Sequence, residues 1–355
     1  MRRLLKIAGI VLGAIVTIIV IALVFLLHGP PVPNHSDYQL DLAMLRKLAG
    51  QQAGSRPIKI NAAEVARAKA PAALFLGGVR FDRHQLVFPA YQVLYPDGTM
   101  IVVDAPPGRD FFAVSFPGAF DEAQYRAEQD ALAHARAIVI THEHADHLQG
   151  IAESPQLPAF ADHLMLTREQ RDDTKWLTAC KFPENVRASL HPLDYDRYYP
   201  LAPGVVLIKA PGHTPGSQIV YVHLADNSEY LLIGDVAWDM EQVTIPKCRP
   251  RLVELGMGEN SHQVTSELRT LHDLAAANPD LHIVVSHDAK QLADYENAGQ
   301  IGRGFSPAEQ CAIRRDSRAQ SRAVRCSSWI GNRGSISNSI DWNARDSRAA
   351  SSNFC

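Results

Sequence analysis

The chain has 355 residues, 46% of them hydrophobic, which is enough for one large globular domain or two small ones and excludes disorder throughout. Lys+Arg 35 against Asp+Glu 38 gives a formal net charge of -3, so there is no global basic field to hold nucleic acid. Five cysteines, an odd number with no CxxC pair, build neither a zinc ribbon nor a disulfide scaffold.

The first element follows MRRLLK. Residues 7–27, IAGIVLGAIVTIIVIALVFLL, form an uncharged run long enough to span a hydrocarbon core of ~30 Å at ~1.5 Å per residue. It reads as one uncleaved transmembrane helix. A cleavable signal peptide, the alternative, would have a shorter apolar core and a small-x-small site, and none precedes the Pro-rich HGPPVPNHS. Arg2, Arg3 and Lys6 lie before the run and Asp37 and Asp41 after it, so the positive-inside rule places the N-terminus in the cytoplasm and the rest in the periplasm or outside the cell. Residues 1–28 are thus a cytoplasmic stub and anchor, and 29–71 a linker with leading helices.

The two leading helices are expected in YQLDLAMLRKLAG and NAAEVARAKA, from Leu and Ala at helical spacing. The main domain, 72–305, then alternates strands and helices. QLVFPAYQVLY, a Pro96–Gly98 turn and TMIVVDAPPG read as a hairpin, followed by a helix over 121–135 and the strand AIVI. Beyond residue 150 the pattern predicts a strand at PAFA, a helix over 167–175 and an irregular aromatic-rich stretch over 176–199. Strands return at GVVLIKA, SQIVYVHL and EYLLIGDVAW, a helix at 261–277, and a last strand at HIVVSHD. Such a mixture suits two sheets packed together and covered by helices. From 306 to 355 the chain is dense in Arg, Ser and Asn without apolar periodicity, either a disordered tail or an aberrant, out-of-frame end.

Between these elements lies THEHADHLQG, residues 141–150. On a loop leaving a strand, His142 and His144 can converge on one cation while Asp146 and His147 turn toward a second, so one loop can feed two metal ions. A solvated polar loop is the plain alternative. The stretch HEHADH resembles the HxHxDH motif of the metallo-β-lactamase fold superfamily, and the resemblance extends over about residues 72–300. His213 in APGHTPGS, Asp235 in LLIGDVAW and His287 in VVSHD match its later motifs in order.

The resemblance implies a four-layer αββα sandwich behind the transmembrane helix, with two zinc ions, or other divalent metals, at the edge of its sheets. It implies one metal on His142, His144 and His213, a second on Asp146, His147 and His287, and Asp235 linking both. A metal-bridging hydroxide would be the nucleophile, and Asp146 would pass a proton to the leaving group. Asp104 matches a position near the metals, in a supporting role or as a simple strand-end turn. Glu143 alternates outward between two ligands, solvated or supporting.

Within the superfamily, His144 differs from the diiron oxygen-reducing branch, which has an acid there, and Asp235 differs from the cysteine of common zinc β-lactamases. What remains is the acyl-homoserine lactonase and glyoxalase II-like group, and SHD resembles the GHD of the lactonases. Where lactonases often have a tyrosine, this chain has Trp238, whose indole donates but cannot ionise as a phenol does. Trp238, Met240, Trp176 and Phe182 are candidates to line an apolar acyl pocket, with ordinary packing the alternative for each. The expected activity is a membrane-anchored metal-dependent hydrolysis of an ester, lactone or related acyl compound, with a small-molecule substrate and no nucleic-acid partner. A phosphodiesterase or nuclease of the same fold, which would need a basic exosite, and a glutathione thioesterase, which would need a further helical domain, are the alternatives.

Overall fold

The computed structural model describes residues 1–78, 80 and 82–306. The tail expected from 306 onward therefore lies, apart from Ser306, outside the described residues. One sheet contains β1 (Lys59–Pro71), β2 (Arg83–Leu94), β3 (Met100–Val103), β4 (Gly118–Phe120) and β5 (Ala137–Val139). The other contains β6 (Tyr198–Ala202), β7 (Val205–Lys209), β8 (Gln218–His223), β9 (Glu229–Leu232) and β10 (Leu281–Val284), and β11 (Gly302–Arg303) returns to the first. The orders are β11-β1-β2-β3-β5, with β4 also on β1, and β10-β9-β8-β7-β6.

Alternation along the strands sorts the side chains into layers. Ile101 and Val103 of β3 face a shared core with Val205 and Leu207 of β7 and Val220 and Val222 of β8. Their neighbours Met100 and Val102 turn to the other side, against Leu132, Leu148 and Phe160 from helices. Val206, Ile208 and Ile219 turn outward likewise, against Leu45, Val264, Leu268 and Leu271. Both faces of both sheets are therefore buried, which is why strands such as GVVLIKA read as continuous apolar runs rather than alternating ones. The arrangement is a four-layer αββα sandwich.

Three expectations are corrected. NAAEVARAKA is strand, not helix: β1 pairs with β2 from Lys59 to Pro71 with a bulge between Glu64 and Ala66, and also with β4 and β11. Alanine favours helix locally, but its small side chains suit a strand flanked closely on both faces, and tertiary pairing overrides propensity. The first sheet thus begins ahead of residue 72. PAFA lies in the short helix Leu157–Phe160, and the stretch over 176–199 ends in β6 after two short helices, Thr174–Ala179 and Glu184–Ser189. The helix at Ser261–Ala277 and the hairpin of β2 and β3 fall where the sequence puts them.

The segment that follows the N-terminal helix (Arg2–Leu27) is docked rather than loose. Ser36 Oγ donates to Ser266 O at 2.6 Å, and Tyr38 OH donates to Lys209 O at 2.9 Å. The helix has mean hydropathy 3.3 over its most apolar window and none of that window is buried, so by length and composition it can cross a membrane.

Candidate metal centre

Four chain ends deliver the site. β5 runs into residues 141–147, the β7–β8 connection carries His213, β9 ends just before Asp235, and β10 ends just before His287. His144 caps the helix Ala145–Glu153, whose first turn presents Asp146 and His147 side by side.

All seven side chains converge. His142, His144, His213 and Asp235 offer ligand atoms within 4.8 Å of one another, as do His142, Asp146 and His147, and as do His147, Asp235 and His287. Asp235 stands between the groups: Oδ2 lies 3.6 Å from His142 Nε2 and 3.4 Å from His213 Nε2, while Oδ1 lies 3.4 Å from His147 Nε2 and 3.2 Å from His287 Nε2. Asp146 Oδ2 is 3.6 Å from His147 Nε2 and 3.5 Å from His287 Nε2. His213 Nε2 faces His144 Nδ1 at 3.0 Å.

The outer nitrogens of three histidines are spoken for. His147 Nδ1 faces Asp104 Oδ2 at 2.9 Å, His213 Nδ1 faces Glu259 Oε1 at 2.5 Å, and His287 Nδ1 faces the Val87 carbonyl at 2.8 Å. Carboxylate and carbonyl acceptors put the proton on Nδ1 and leave Nε2 with a bare lone pair aimed inward. Among the described residues, buried His142 Nε2, His147 Nε2 and Asp235 Oδ1 find no hydrogen-bond partner, a cost of about 1–3 kcal/mol each that a divalent cation would offset. The donor set, nitrogen and carboxylate oxygen without thiolate, fits such an ion.

The electrostatics of the cluster carry the same message. Burial, reinforced by neighbouring histidines, lowers His142 and His144 and holds them neutral. Burial opposes charge on His147 too, but Asp104, Asp146 and Asp235 outweigh it and raise that pKa, and Asp235 similarly raises His287. Asp235 is lowered, burial being overcome by His287, His142 and His147. The carboxylates demand positive charge at their centre.

No family model matches the sequence, and no curated protein matches it. Solved structures do. A quorum-quenching N-acyl homoserine lactone lactonase superposes with TM-score 0.53 at 17% identity, over 67% of this chain and 95% of its own. An N-acyl homoserine lactone hydrolase, with the product N-hexanoyl-L-homoserine bound at its catalytic metal center, gives 0.53 at 16% identity, over 67% and 96%. A probable metal-dependent hydrolase from Staphylococcus aureus gives 0.50 at 12% identity, over 66% and 91%. The fold is that of the metallo-β-lactamases.

On this metallo-β-lactamase scaffold the remaining candidates divide. Asp104, at φ 62, accepts from Thr141 N at 2.6 Å and Thr141 Oγ1 at 2.9 Å as well as facing His147, so it braces the motif loop and is more than a strand-end turn. Trp238 donates its indole N–H to Asp235 Oδ2 at 2.6 Å, and Trp176 sets its ring edge-on to His144 at 4.3 Å. Phe182 is buried in the cluster between the first sheet and its helices, and Met240 packs against the helix-side core of the second sheet. Glu143 is not solvated: it is fully buried, with Oε2 accepting from Thr214 Oγ1 at 2.8 Å and Oε1 from Gly216 N at 3.3 Å. It ties the loop carrying His142 to the turn carrying His213.

Sequence reasoning misses the charges behind His213. Glu259 accepts from Arg249 Nη2 at 2.6 Å, both side chains buried, and the Arg249 guanidinium lies 4.7 Å over the Trp238 ring. Glu267 Oε1 accepts from Gly212 N at 3.0 Å, and burial pushes that carboxyl up to about 8.

Proposed function

We propose that the chain is a membrane-anchored, zinc-dependent hydrolase acting on an ester, lactone or related small acyl substrate. The observation that carries the reading is the division of Asp235, one oxygen toward His142 and His213 and the other toward His147 and His287, which is the geometry of two adjacent metal positions. His142, His144 and His213 would hold one ion, and Asp146, His147 and His287 the other, with Asp235 shared. When bound, such a pair polarises a carbonyl and brings the pKa of water toward about 7, a nucleophile that needs no activated Ser or Cys. Asp146, half-buried at the edge of the cluster, would pass a proton to the leaving group. Trp176 and Trp238 flank the cluster and offer apolar faces to an acyl chain. The exposed N-terminal helix supports an anchor with the hydrolase domain on the periplasmic or outer side.

The test is elemental analysis of the full-length chain together with turnover of a lactone and ester panel and of a phosphodiester. About two zinc per chain with lactone or ester turnover supports the reading. Turnover of the phosphodiester alone moves the chain to another chemistry on the same fold, and less than one tightly held metal with no turnover after metal addition overturns the site.

A further inference from the structure

Six large apolar side chains beyond the N-terminal helix are exposed among the described residues: Met44, Leu74, Val114, Ile245, Leu252 and Leu255. Three of them fall within eleven residues of sequence. Ile245 is 58%, Leu252 52% and Leu255 74% exposed, and the two leucines stand three apart on the helix Arg251–Met257, so they share a face. Among the described residues, nothing in the sandwich covers that face.

The same helix is the one on which the N-terminal helix ends. The Arg251 side chain donates to the His28 carbonyl at 2.9 Å and to the Gly29 carbonyl at 2.9 Å, and its guanidinium sits 4.3 Å over the Phe25 ring. Gly78 N donates to Leu27 O at 2.6 Å and Gly77 N to Cys248 O at 3.0 Å. The packing leaves no slack: a Cβ on Gly29 would lie 2.4 Å from the Arg249 carbonyl, and one on Gly77 would lie 2.4 Å from Gly29 N. The end of an apolar helix is thus fixed, without a flexible linker, beside an exposed apolar face edged by Lys247 and Arg251. A helix that crosses a bilayer and is clamped in this way brings whatever lies beside its end into the interface, where leucine and isoleucine enter the acyl boundary and cations meet phosphate.

We propose that Ile245, Leu252 and Leu255 form a second membrane-contacting surface, which inserts into the outer leaflet and holds the metal centre at the bilayer face; the proposal rests on the anchor reading above. The centre is close along the chain, since Arg249, two residues before Arg251, contacts both Glu259 and the Trp238 ring.

The experiment uses the full-length chain in phospholipid bilayers with a photoreactive residue at one position at a time: Val16→p-benzoylphenylalanine inside the apolar helix, Leu255→p-benzoylphenylalanine on the proposed surface, and Asp226→p-benzoylphenylalanine on the β8–β9 turn, at the opposite end of the strands from the metal centre. All three sites are exposed, so folding is not at risk. The expected result is a phospholipid adduct at positions 16 and 255 and none at 226. An adduct at 16 without one at 255 overturns the second surface while leaving the anchor intact. Loss at both 16 and 255 overturns the anchor and the surface together, and equal adducts at 255 and 226 overturn the surface by showing lipid contact to be unspecific.

Discussion

Asp104→Asn should weaken one of the two proposed metal positions without disturbing the fold. The backbone at 104 sits at φ 62, in the left-handed region that Asn tolerates nearly as well as Asp, so the change adds no strain that Ala would add. The Asn carbonyl can still accept from Thr141 N, now held at 2.6 Å. Its amide must then face His147 Nδ1, which at 2.9 Å from Asp104 Oδ2 can meet an N–H only by giving up its own proton. The imidazole proton moves to Nε2, the atom that points at Asp146 and Asp235, and the lone pair that would bind metal is lost. Loss of such outer partners costs about 10–100-fold in metal affinity, or roughly 1.4–2.7 kcal/mol. The assay is competition against a chromophoric chelator with wild-type and variant chains, read beside thermal unfolding. One metal should be retained and the other weakened by that factor, with the unfolding midpoint of the chelated proteins nearly matched. Two metals bound as tightly as in wild type would refute the tautomer argument, and with it the assignment of His147 as a ligand.

Trp238→Phe keeps a ring against Phe75 but removes the donor to Asp235 Oδ2, a charged hydrogen bond of about 1.5–3 kcal/mol, and should weaken metal binding about tenfold in the same competition assay. Glu259→Ala leaves buried Arg249 without its partner and should cost about 3–5 kcal/mol in urea unfolding, most of it recovered when Arg249→Met is added. Glu267 has a folded pKa of about 8, above the ordinary carboxylate value, so the folded state holds the proton more tightly and the stability it contributes is complete at low pH and lost as pH rises through about 8. Glu267→Gln, which mimics the protonated acid and still accepts from Gly212, should remove that loss, roughly 5 kcal/mol accumulated between the ordinary carboxylate value and about 8, seen as a flatter unfolding midpoint between about pH 5 and 9. An unchanged pH profile would show that the carboxyl is not the group responsible.

The motif HEHADH was legible because metal-ligating residues are scarce and here stand within one turn of chain, so spacing alone limits what they can do. β1 was not, because its alanines carry a helical signal and the three strands that overrule it come from residues 83–94, 118–120 and 302–303, none of them local. The braces of the centre were hidden for the same reason. Glu259 lies 46 positions from His213, and Arg249 reads in KCRPR as one more solvated cation. Glu267 did leave a trace: with Val264, Leu268 and Leu271 it occupies the apolar stripe of its helix, and a charge on a stripe that must be buried is a signal for a specific partner.

The parallel pairing of β9 with β10 explains why so much of the function sits in one segment. Parallel neighbours cannot be joined by a tight turn and need a long crossover, here residues 233–280. That crossover leaves β9 at Asp235, the shared carboxylate, and supplies Trp238 to one of its oxygens. It then runs out to Arg249 and the helix Arg251–Met257, where the N-terminal helix is clamped, and returns through Glu259 and Glu267, which hold His213 and Gly212. A displacement of the N-terminal helix would be felt first at Arg249, whose guanidinium touches both Glu259 and the Trp238 ring. The geometry of Asp235 and that of the helix Arg251–Met257 are therefore set by one continuous stretch of backbone, and a change in either is expected to register in the other.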